Sequence, residues 1–358
     1  MNEEMGVKEA RWWDSNEGVE CRLCPHHCSI GEGKLGICRT RGTQEGRLMA
    51  FNYGRVCSIA QDPVEKKPVF HYRPGSRLLS LGSFGCNMRC RNCQNAVLAT
   101  AGPGEVPEEA WSPEQVVEHA LEKGVDGLGW TYNEPITWAE FVLDTSRMAR
   151  GNGLYTLMNT NGYVEHEPID EMVRTIDAMN VDVKGFTDGF YRENCGASLD
   201  RVLDTCEHAH RSGVHLELTY LLIPGLNDGV ETMREFFRWV VGTLGEDVPV
   251  HLFRFLPFHL LSHLPEQSMA KMEEAYGIAR EAGIRFPYLA GVIGDEHQST
   301  YCPDCGTLLI ARSSEEAAEK VMAGKEEVSR FCPTYAQVDV RIDRRSCPAC
   351  GANIPVVL

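Results

Sequence analysis

The sequence predicts an α/β protein: a partial (β/α)6 TIM-like barrel with small cysteine-rich, metal-binding modules at its N- and C-terminal ends. Two observations carry this prediction. Short apolar or β-branched runs alternate with longer helical patterns through the middle of the chain, which is typical of parallel βα units. The 15 cysteines occur mostly in three close groups, one in the middle and one towards each end.

The pattern divides the chain into a cysteine-rich N-terminal segment (1–75), a barrel (76–295) and a C-terminal module (296–358). Six strands are predicted in the barrel, and a helical segment follows each of them. Loops at the carboxyl ends of such strands build the active site of a barrel. The predicted strands span 77–83, 127–132, 154–160, 178–183, 215–223 and 249–256.

Composition excludes several classes of protein. The chain has 35 Lys and Arg against 51 Asp and Glu, which gives a formal net charge of -16. A nucleic-acid or anionic-membrane binder needs a basic face, so neither is expected. The first residues resemble no export signal, and no run reaches the roughly 18 apolar residues of a membrane span. A soluble cytoplasmic protein is expected, in which the grouped cysteines bind metal rather than form disulfides.

A cysteine triplet follows the first predicted strand. Cys86, Cys90 and Cys93 have C-x3-C-x2-C spacing, on the loop where the active site of a barrel begins. Three thiolates can bind three irons of a 4Fe-4S cluster and leave the fourth iron open to a substrate or cofactor. Zinc is the alternative, but structural zinc usually takes four protein ligands, and no His neighbours this loop.

The triplet and its flanks resemble the radical S-adenosylmethionine (radical SAM) superfamily. Within it the sequence is similar to pyruvate formate-lyase activating enzyme and, more fully, to the radical SAM enzyme of the AmmeMemoRadiSam system. The cysteine-rich ends support the second likeness. The motifs are GCNMRCRNCQN (85–95), DPVEKKPVFHYRPGS (62–76), TYNEP (131–135), NTNGY (159–163), DVKGF (182–186) and LIPGLND (222–228).

The resemblance implies a barrel of the radical SAM type and an oxidoreductase with two cofactors, a 4Fe-4S cluster on Cys86, Cys90 and Cys93 and S-adenosylmethionine. Such an enzyme cleaves S-adenosylmethionine reductively, and the 5′-deoxyadenosyl radical abstracts hydrogen from a substrate, here unidentified. The partners implied are a protein or peptide substrate, the Memo-type companion proteins of the system, and a reductant such as flavodoxin or ferredoxin. Superfamily members commonly have an aromatic residue near the adenine where this chain has Asn92.

The resemblance also implies which residues bind S-adenosylmethionine. Glu134 is expected to accept a hydrogen bond from the ammonium group, or alternatively to complement the dipole of the helix that follows. Lys184 is expected to bind the carboxylate, or alternatively to form a structural ion pair with Asp182. Asn159 stands where the activating enzyme has an Asp near a monovalent cation. The other expected contacts are Thr160, Asn161, Asp182 and, at the ribose, His259, with His251 a weaker candidate.

The C-terminal cysteines predict a zinc site. Cys302 and Cys305 form one CPxCG knuckle, and Cys347 and Cys350 form another. The glycine of each knuckle allows a tight turn that directs backbone N–H groups at the thiolates, and four sulfurs complete a tetrahedral site. Cys332, between the knuckles, is expected to be a free thiol or a replacement ligand.

The N-terminal cysteines have C-x2-C-x3-C-x9-C spacing. Cys21, Cys24, Cys28 and Cys38 can bind zinc or an auxiliary 4Fe-4S cluster, and spacing alone does not decide between them. A structural metal is slightly favoured, because the C-x2-C-x2-C-x3-C-P run of ferredoxin-like clusters is absent.

Two other functions stay open. One is an activating enzyme that makes a glycyl radical on a partner enzyme, as the likeness to pyruvate formate-lyase activating enzyme suggests. The other is a zinc-clamped, non-enzymatic protein-binding module in which all three cysteine groups hold structural zinc.

Overall fold

The fold was described from a computed structural model, which describes residues 6–15, 18–292, 296–313, 337–342 and 344–358. An eight-stranded sheet forms its centre. Seven strands are parallel and adjacent in chain order, and the eighth is an antiparallel edge strand. Helical crossovers produce this order, because each returns the chain to the same end of the sheet. The strands are Ser58–Pro63, Arg77–Gly82, Gly127–Trp130, Tyr155–Thr160, Ala178–Asp182, His215–Leu222, Val250–Arg254 and Pro287–Ala290.

Helices connect these strands. The helix that begins at Pro113 shows how the sequence starts one: Ser112 and Gln115 form a capping box, with the proline at the first helical position. The α-helices are Ala96–Ala99, Pro113–Glu122, Ala139–Gly151, His166–Met172, Asp188–Phe190, Leu199–Arg211, Val230–Trp239 and Met269–Glu281. Shorter turns are the 3-10 helices Val64–Lys66, Pro135–Trp138, His259–Leu261 and Glu296–Gln298, and the π-helical segments Tyr191–Cys195 and Val240–Leu244.

The large, mostly parallel sheet confirms the predicted α/β class. All six predicted strands are present, each within two residues of its predicted bounds. Two edge strands were missed, because Ser58–Pro63 has little apolar alternation and Pro287–Ala290 is short and begins with proline. In the described ranges these two edges are not hydrogen-bonded to each other, so the strands form an open series.

Small sheets flank the large one. The N-terminal segment contributes strands to three small antiparallel sheets, and the C-terminal segment contains one antiparallel sheet. The first three sheets comprise Lys8–Glu9, Arg41–Gln44 and Arg47–Ala50, then Trp13–Asp14 with Glu20–Cys21, and finally Arg55–Val56 with Glu109–Ala110 from later in the chain. The C-terminal strands are Thr300–Tyr301, Leu308–Ser313 and Gln337–Val340.

The C-terminal segment packs near the amino ends of the last strands. Phe70, Phe286 and Tyr288 join its apolar side chains in one buried cluster. Beside them the buried carboxylate of Glu217 accepts a hydrogen bond from the ring of His251 at 2.6 Å. His251 is therefore part of the core, away from the carboxyl ends of the strands. No helix in the described ranges is long and apolar enough to cross a membrane.

A buried ion pair fastens the N-terminal segment to the helix Ala139–Gly151. The side chains of Arg41 and Glu140 are 0% and 2% exposed. Nη2 of Arg41 lies 2.6 Å from both carboxylate oxygens of Glu140, and one of these oxygens also accepts the backbone N–H of Arg11 at 2.8 Å. Each charge offsets the desolvation of the other.

Replacement of Glu140 with alanine is therefore expected to lower the free energy of unfolding by about 3–5 kcal/mol, because Arg41 keeps a buried, unpaired charge. Urea unfolding followed by circular dichroism measures the effect. Glu9→Ala is the matched control, since its pair with Arg47 is exposed, and it is expected to cost about 0–1 kcal/mol. Equal losses in the two variants would contradict this role of the Arg41 pair.

Candidate active site

The cysteine triplet lies at the carboxyl end of the parallel sheet. Its loop connects the strand Arg77–Gly82 to the helix Ala96–Ala99. All three cysteines line one cavity of about 240 Å³, together with residues from the ends of the next three strands. The cavity thus brings together the predicted site residues Cys86, Cys90, Cys93, Glu134, Asn159, Thr160, Asn161, Asp182 and Lys184.

Asparagine side chains hold the triplet loop in place. Nδ2 of Asn133 donates to the carbonyls of Phe84 and Gly85 at 3.1 and 3.0 Å. Nδ2 of Asn87 donates to the carbonyl of Tyr163 at 2.6 Å. The sequence motifs contain these asparagines, but nothing in the sequence distinguishes them from other polar loop residues.

The π-helical segment Tyr191–Cys195 supports the other side of the loop. The backbone N–H groups of Arg89 and Arg91 donate to the carbonyls of Cys195 and Asn194 at 2.8 and 2.9 Å. Nδ2 of Asn194 donates to Oδ1 of Asn92 at 2.8 Å, so the residue before the third cysteine is held by an amide rather than by an aromatic contact. This support was not predicted, because it joins segments about a hundred residues apart.

Glu134 ends the second parallel strand and is almost fully buried. Its carboxylate accepts hydrogen bonds from the amide of Ile136 (3.0 Å), the hydroxyl of Thr160 (2.7 Å) and the amide of Asn161 (2.8 Å). Burial raises the pKa of Glu134 to about 7, although these donors favour the charged form. The residue caps the 3-10 helix Pro135–Trp138, as the alternative interpretation expected, and also lines the cavity.

Asn159 and Asn161 extend the polar wall from Glu134. Oδ1 of Asn159 is buried and has no hydrogen-bond partner, although the residue lines the cavity. Nδ2 of Asn161 donates to Oδ1 of Asn87 at 2.9 Å and lies 3.6 Å from Sγ of Cys86. The wall therefore offers an unpaired acceptor beside a carboxylate, an arrangement suited to a bound cationic donor.

Lys184 and Asp182 form another polar group of the cavity. Nζ of Lys184 lies 2.9 Å from Oδ2 of Asp182, and the lysine side chain is 18% exposed. The structural ion pair that was the alternative interpretation is thus present. Both side chains nevertheless line the cavity, which leaves the ammonium group accessible to an anionic ligand.

His259 is not brought to this cavity. It begins the 3-10 helix His259–Leu261 with an exposed side chain and a φ of 49°. Tyr132 and Phe253 line the cavity as aromatic residues instead. Neither was predicted, because an aromatic residue at a strand end does not differ in sequence from a core residue.

Comparison with known proteins identifies the family. The radical SAM superfamily matches residues 81–240. A protein of Methanocaldococcus jannaschii, uncharacterised protein MJ0808, is 38% identical over 354 residues, 98% of this chain and 100% of the relative. Pyruvate formate-lyase 1-activating enzyme of Escherichia coli is 30% identical over 193 residues, 52% of this chain and 76% of the relative. The chain belongs to the radical SAM superfamily. Among solved structures, Streptococcus suis SuiB bound to S-adenosylmethionine aligns with a TM-score of 0.47 and 11% identity, over 59% of this chain and 51% of that one.

The cavity fits the cofactors that the radical SAM superfamily implies. Three cysteines share it, as a 4Fe-4S cluster with one open iron requires. The unpaired oxygen of Asn159 and the carboxylate of Glu134 suit an ammonium group, and Lys184 suits a carboxylate. Beside its cysteine triplet, this radical SAM protein therefore has side chains that complement both the amino group and the carboxylate of an amino acid.

The C-terminal cysteines of this radical SAM protein form a compact metal-binding group. The sulfurs of Cys302, Cys305, Cys347 and Cys350 all lie within 4.8 Å of one another, with Cys302 to Cys350 at 3.6 Å and Cys305 to Cys347 at 3.7 Å. The glycine after each knuckle has a φ of +75° or +76°, as the predicted tight turns require. Cys332 lies outside the described residues.

The N-terminal cysteines line a second, smaller cavity. Cys21, Cys24, Cys28 and Cys38 surround it together with the buried side chain of Arg41. The four residues therefore line one cavity, and a metal bound there stays a prediction.

The raised pKa of Glu134 predicts a pH-dependent stability. A carboxyl group with a higher pKa in the folded than in the unfolded chain stabilises the fold at low pH, and this stabilisation is lost as pH rises through the folded pKa. Between about pH 4.5 and 7, wild-type protein prepared without iron is expected to lose roughly 3 kcal/mol of unfolding free energy relative to Glu134→Gln.

Urea unfolding of both proteins across this pH range measures the difference. The two proteins are compared by the slope of their unfolding free energy against pH. Glutamine accepts fewer hydrogen bonds from the three donors, but this loss changes the unfolding free energy by the same amount at every pH. Parallel curves for the two proteins would show that Glu134 has an ordinary pKa.

Proposed function

We propose that the protein is a radical SAM enzyme that cleaves S-adenosylmethionine reductively and abstracts hydrogen from a substrate. The observation that carries the proposal is the shared cavity of the triplet, Glu134, Asn159 and Lys184. A 4Fe-4S cluster on Cys86, Cys90 and Cys93 would supply the electron, and the 5′-deoxyadenosyl radical would take the hydrogen atom. In this proposal the large, mostly parallel sheet and its helices are the partial barrel that the sequence predicts.

In this proposal the open iron of the cluster and the polar wall of the cavity together bind the amino-acid end of S-adenosylmethionine. The amino and carboxylate groups would bind the open iron, with Glu134 and Oδ1 of Asn159 accepting hydrogen bonds from the amino group and Lys184 pairing with the carboxylate. Thr160 and Asn161 orient the Glu134 carboxylate through the bonds at 2.7 and 2.8 Å. The Glu134 carboxylate is nearly excluded from water, which strengthens its interaction with a bound amino group.

We assign the enzyme to the AmmeMemoRadiSam type. Support comes from the sequence motifs and from the cysteine-rich segments at both ends of the chain. The proposed partners are a protein or peptide substrate, Memo-type companion proteins, and flavodoxin or ferredoxin as the electron donor.

A second candidate is a glycyl-radical-enzyme activating enzyme. Its support is the 30% identity to pyruvate formate-lyase 1-activating enzyme, although that match includes only 52% of this chain. A glycyl radical on a partner enzyme, detected by electron paramagnetic resonance, would favour this candidate. Turnover of a small molecule or an unrelated peptide would exclude it.

The proposed reaction is tested by S-adenosylmethionine cleavage. After anaerobic reconstitution with iron and sulfide, wild-type protein with dithionite is expected to produce 5′-deoxyadenosine, measured by liquid chromatography. The Cys86→Ala/Cys90→Ala/Cys93→Ala variant is expected to produce none. Cys57→Ala is the matched control and is expected to keep wild-type activity, because Cys57 does not line the cavity.

Two results would overturn the proposal. One is equal formation of 5′-deoxyadenosine by wild type and the triple variant. The other is an inactive wild type with zinc rather than iron at the triplet, which would favour a zinc-clamped binding protein.

The C-terminal cysteines hold zinc in this proposal. A tetrahedral zinc site with Zn–S bonds of about 2.3 Å separates its sulfurs by about 3.8 Å, close to the 3.6 and 3.7 Å found here. Such a site stabilises a small module, because metal binding contributes directly to its folding.

Cys350→Ser is expected to remove about one zinc per chain and to lower the Tm. Elemental analysis by mass spectrometry and differential scanning fluorimetry measure the two effects. Cys57→Ser is the control and is expected to retain the metal, since Cys57 belongs to none of the three groups. Unchanged zinc content in Cys350→Ser would contradict the assignment.

A further inference from the structure

The proposed reaction does not use the four N-terminal cysteines. Cys21, Cys24 and Cys38 are buried and Cys28 is half-buried, and all four line the same small cavity. Cys21 ends a short strand and the other three cysteines lie in the irregular loops after it. The folding of these loops brings the four side chains together. Their spacing in sequence leaves zinc and an iron–sulfur cluster as alternatives.

The separation of the sulfurs distinguishes these alternatives. A single zinc ion binds all four sulfurs, so every pair lies about 3.8 Å apart. Among the described residues, the C-terminal four are the only group of three or more potential ligands whose atoms all lie within 4.8 Å of one another. The N-terminal four and the central triplet are fully described and do not form such a group. Sulfurs that each bind a different iron of a cluster are spaced more widely.

A hydroxyl group beside one of these sulfurs fits a metal-bound thiolate. Oγ1 of Thr40 lies 3.2 Å from Sγ of Cys38, within hydrogen-bond distance. Around iron–sulfur clusters, donors to sulfur stabilise the negative charge.

His26 also lines the cavity. Nε2 of its ring lies 2.7 Å from the carbonyl oxygen of Asn87 and is hydrogen-bonded there, so only Nδ1 is left as a ligand atom. The four cysteines supply a complete ligand set without this histidine.

Arg41 supplies a second, independent observation. Its side chain is 0% exposed and lines the cavity. The guanidinium binds Glu140 through Nη2, whereas Nε is buried without a partner. An iron–sulfur cluster contains inorganic sulfides that accept hydrogen bonds, whereas a zinc ion brings no acceptor of its own. The thiolates are present with either metal, but only a cluster would add sulfide acceptors for this buried donor.

We infer that Cys21, Cys24, Cys28 and Cys38 ligate an iron–sulfur cluster. This inference replaces the structural metal that the spacing slightly favoured. It does not depend on the proposed reaction, because none of its observations involves the central cavity.

The inferred cluster lies directly beside the triplet loop. Gly85 precedes the first triplet cysteine with a φ of +82°, and a Cβ there would lie 2.5 Å from the carbonyl oxygen of Cys38. The side chain of Arg89 joins the two loops by hydrogen bonds to the carbonyls of Cys86 and Ile37. Substitutions in one cysteine group can therefore disturb the other, and the test must count metals in a protein that lacks the triplet.

The full-length Cys86→Ala/Cys90→Ala/Cys93→Ala variant provides that test. After anaerobic reconstitution it is expected to retain iron and acid-labile sulfide in equal amounts, at least about two of each per chain, with broad visible absorbance. Addition of Cys24→Ser and Cys38→Ser is expected to abolish both. Addition of Cys350→Ser instead is the matched control and is expected to leave iron and sulfide unchanged.

A folded triple variant without iron or sulfide would overturn the inference, whether zinc or no metal occupies the site.

Wild-type protein gives a second measurement if the triple variant does not fold. Its iron content is expected to exceed the roughly four of one 4Fe-4S cluster by two or more per chain. A wild-type content of four or fewer, with zinc bound in the folded Cys350→Ser variant, would also overturn the inference.

Discussion

The buried carboxylate of Glu134 is the interaction on which the central cavity depends. A carboxylate removed from water must be surrounded by donors, and here they come from the following turn and from the end of the next strand, at Thr160 and Asn161. The side chain of Asn161 then reaches Asn87 on the triplet loop. The ends of three parallel strands are thereby fixed relative to one another, which is the pre-organisation that a cofactor site requires.

The N-terminal segment is connected to the hydrogen bonds around Glu134. The carbonyl of Thr137, on the 3-10 helix that Glu134 caps, accepts hydrogen bonds from Thr40 and Asn52. Arg41 adds the buried pair with Glu140 on the adjoining helix. The N-terminal cysteines and the central triplet are therefore supported by one continuous set of contacts, whereas the C-terminal cysteines pack with the amino ends of the last strands. The C-terminal group therefore differs from the other two cysteine groups in position and in the close spacing of its sulfurs.

The sequence predicted the six central strands and the cysteine triplet, because hydrophobic alternation and cysteine spacing are local patterns. The confirmed superfamily resemblance pointed to Glu134 and Lys184, which the structure places in the cavity. The supports of the loop, Asn133 and Asn194, were not predictable, since their roles arise from contacts between distant segments. His259 was expected near the cofactor and is exposed. The N-terminal metal stayed undecided because residue spacing does not encode the distance between sulfurs.

The central claim is that S-adenosylmethionine binds the triplet's cluster through its amino and carboxylate groups. Electron–nuclear double resonance on the reduced, reconstituted protein tests it directly, with S-adenosylmethionine labelled with ¹⁵N in the amino group and ¹⁷O in the carboxylate. The account predicts hyperfine coupling to both labels in wild-type protein and none in the variant without the triplet cysteines. A wild-type cluster signal at the triplet that shows no coupling to either label would contradict it.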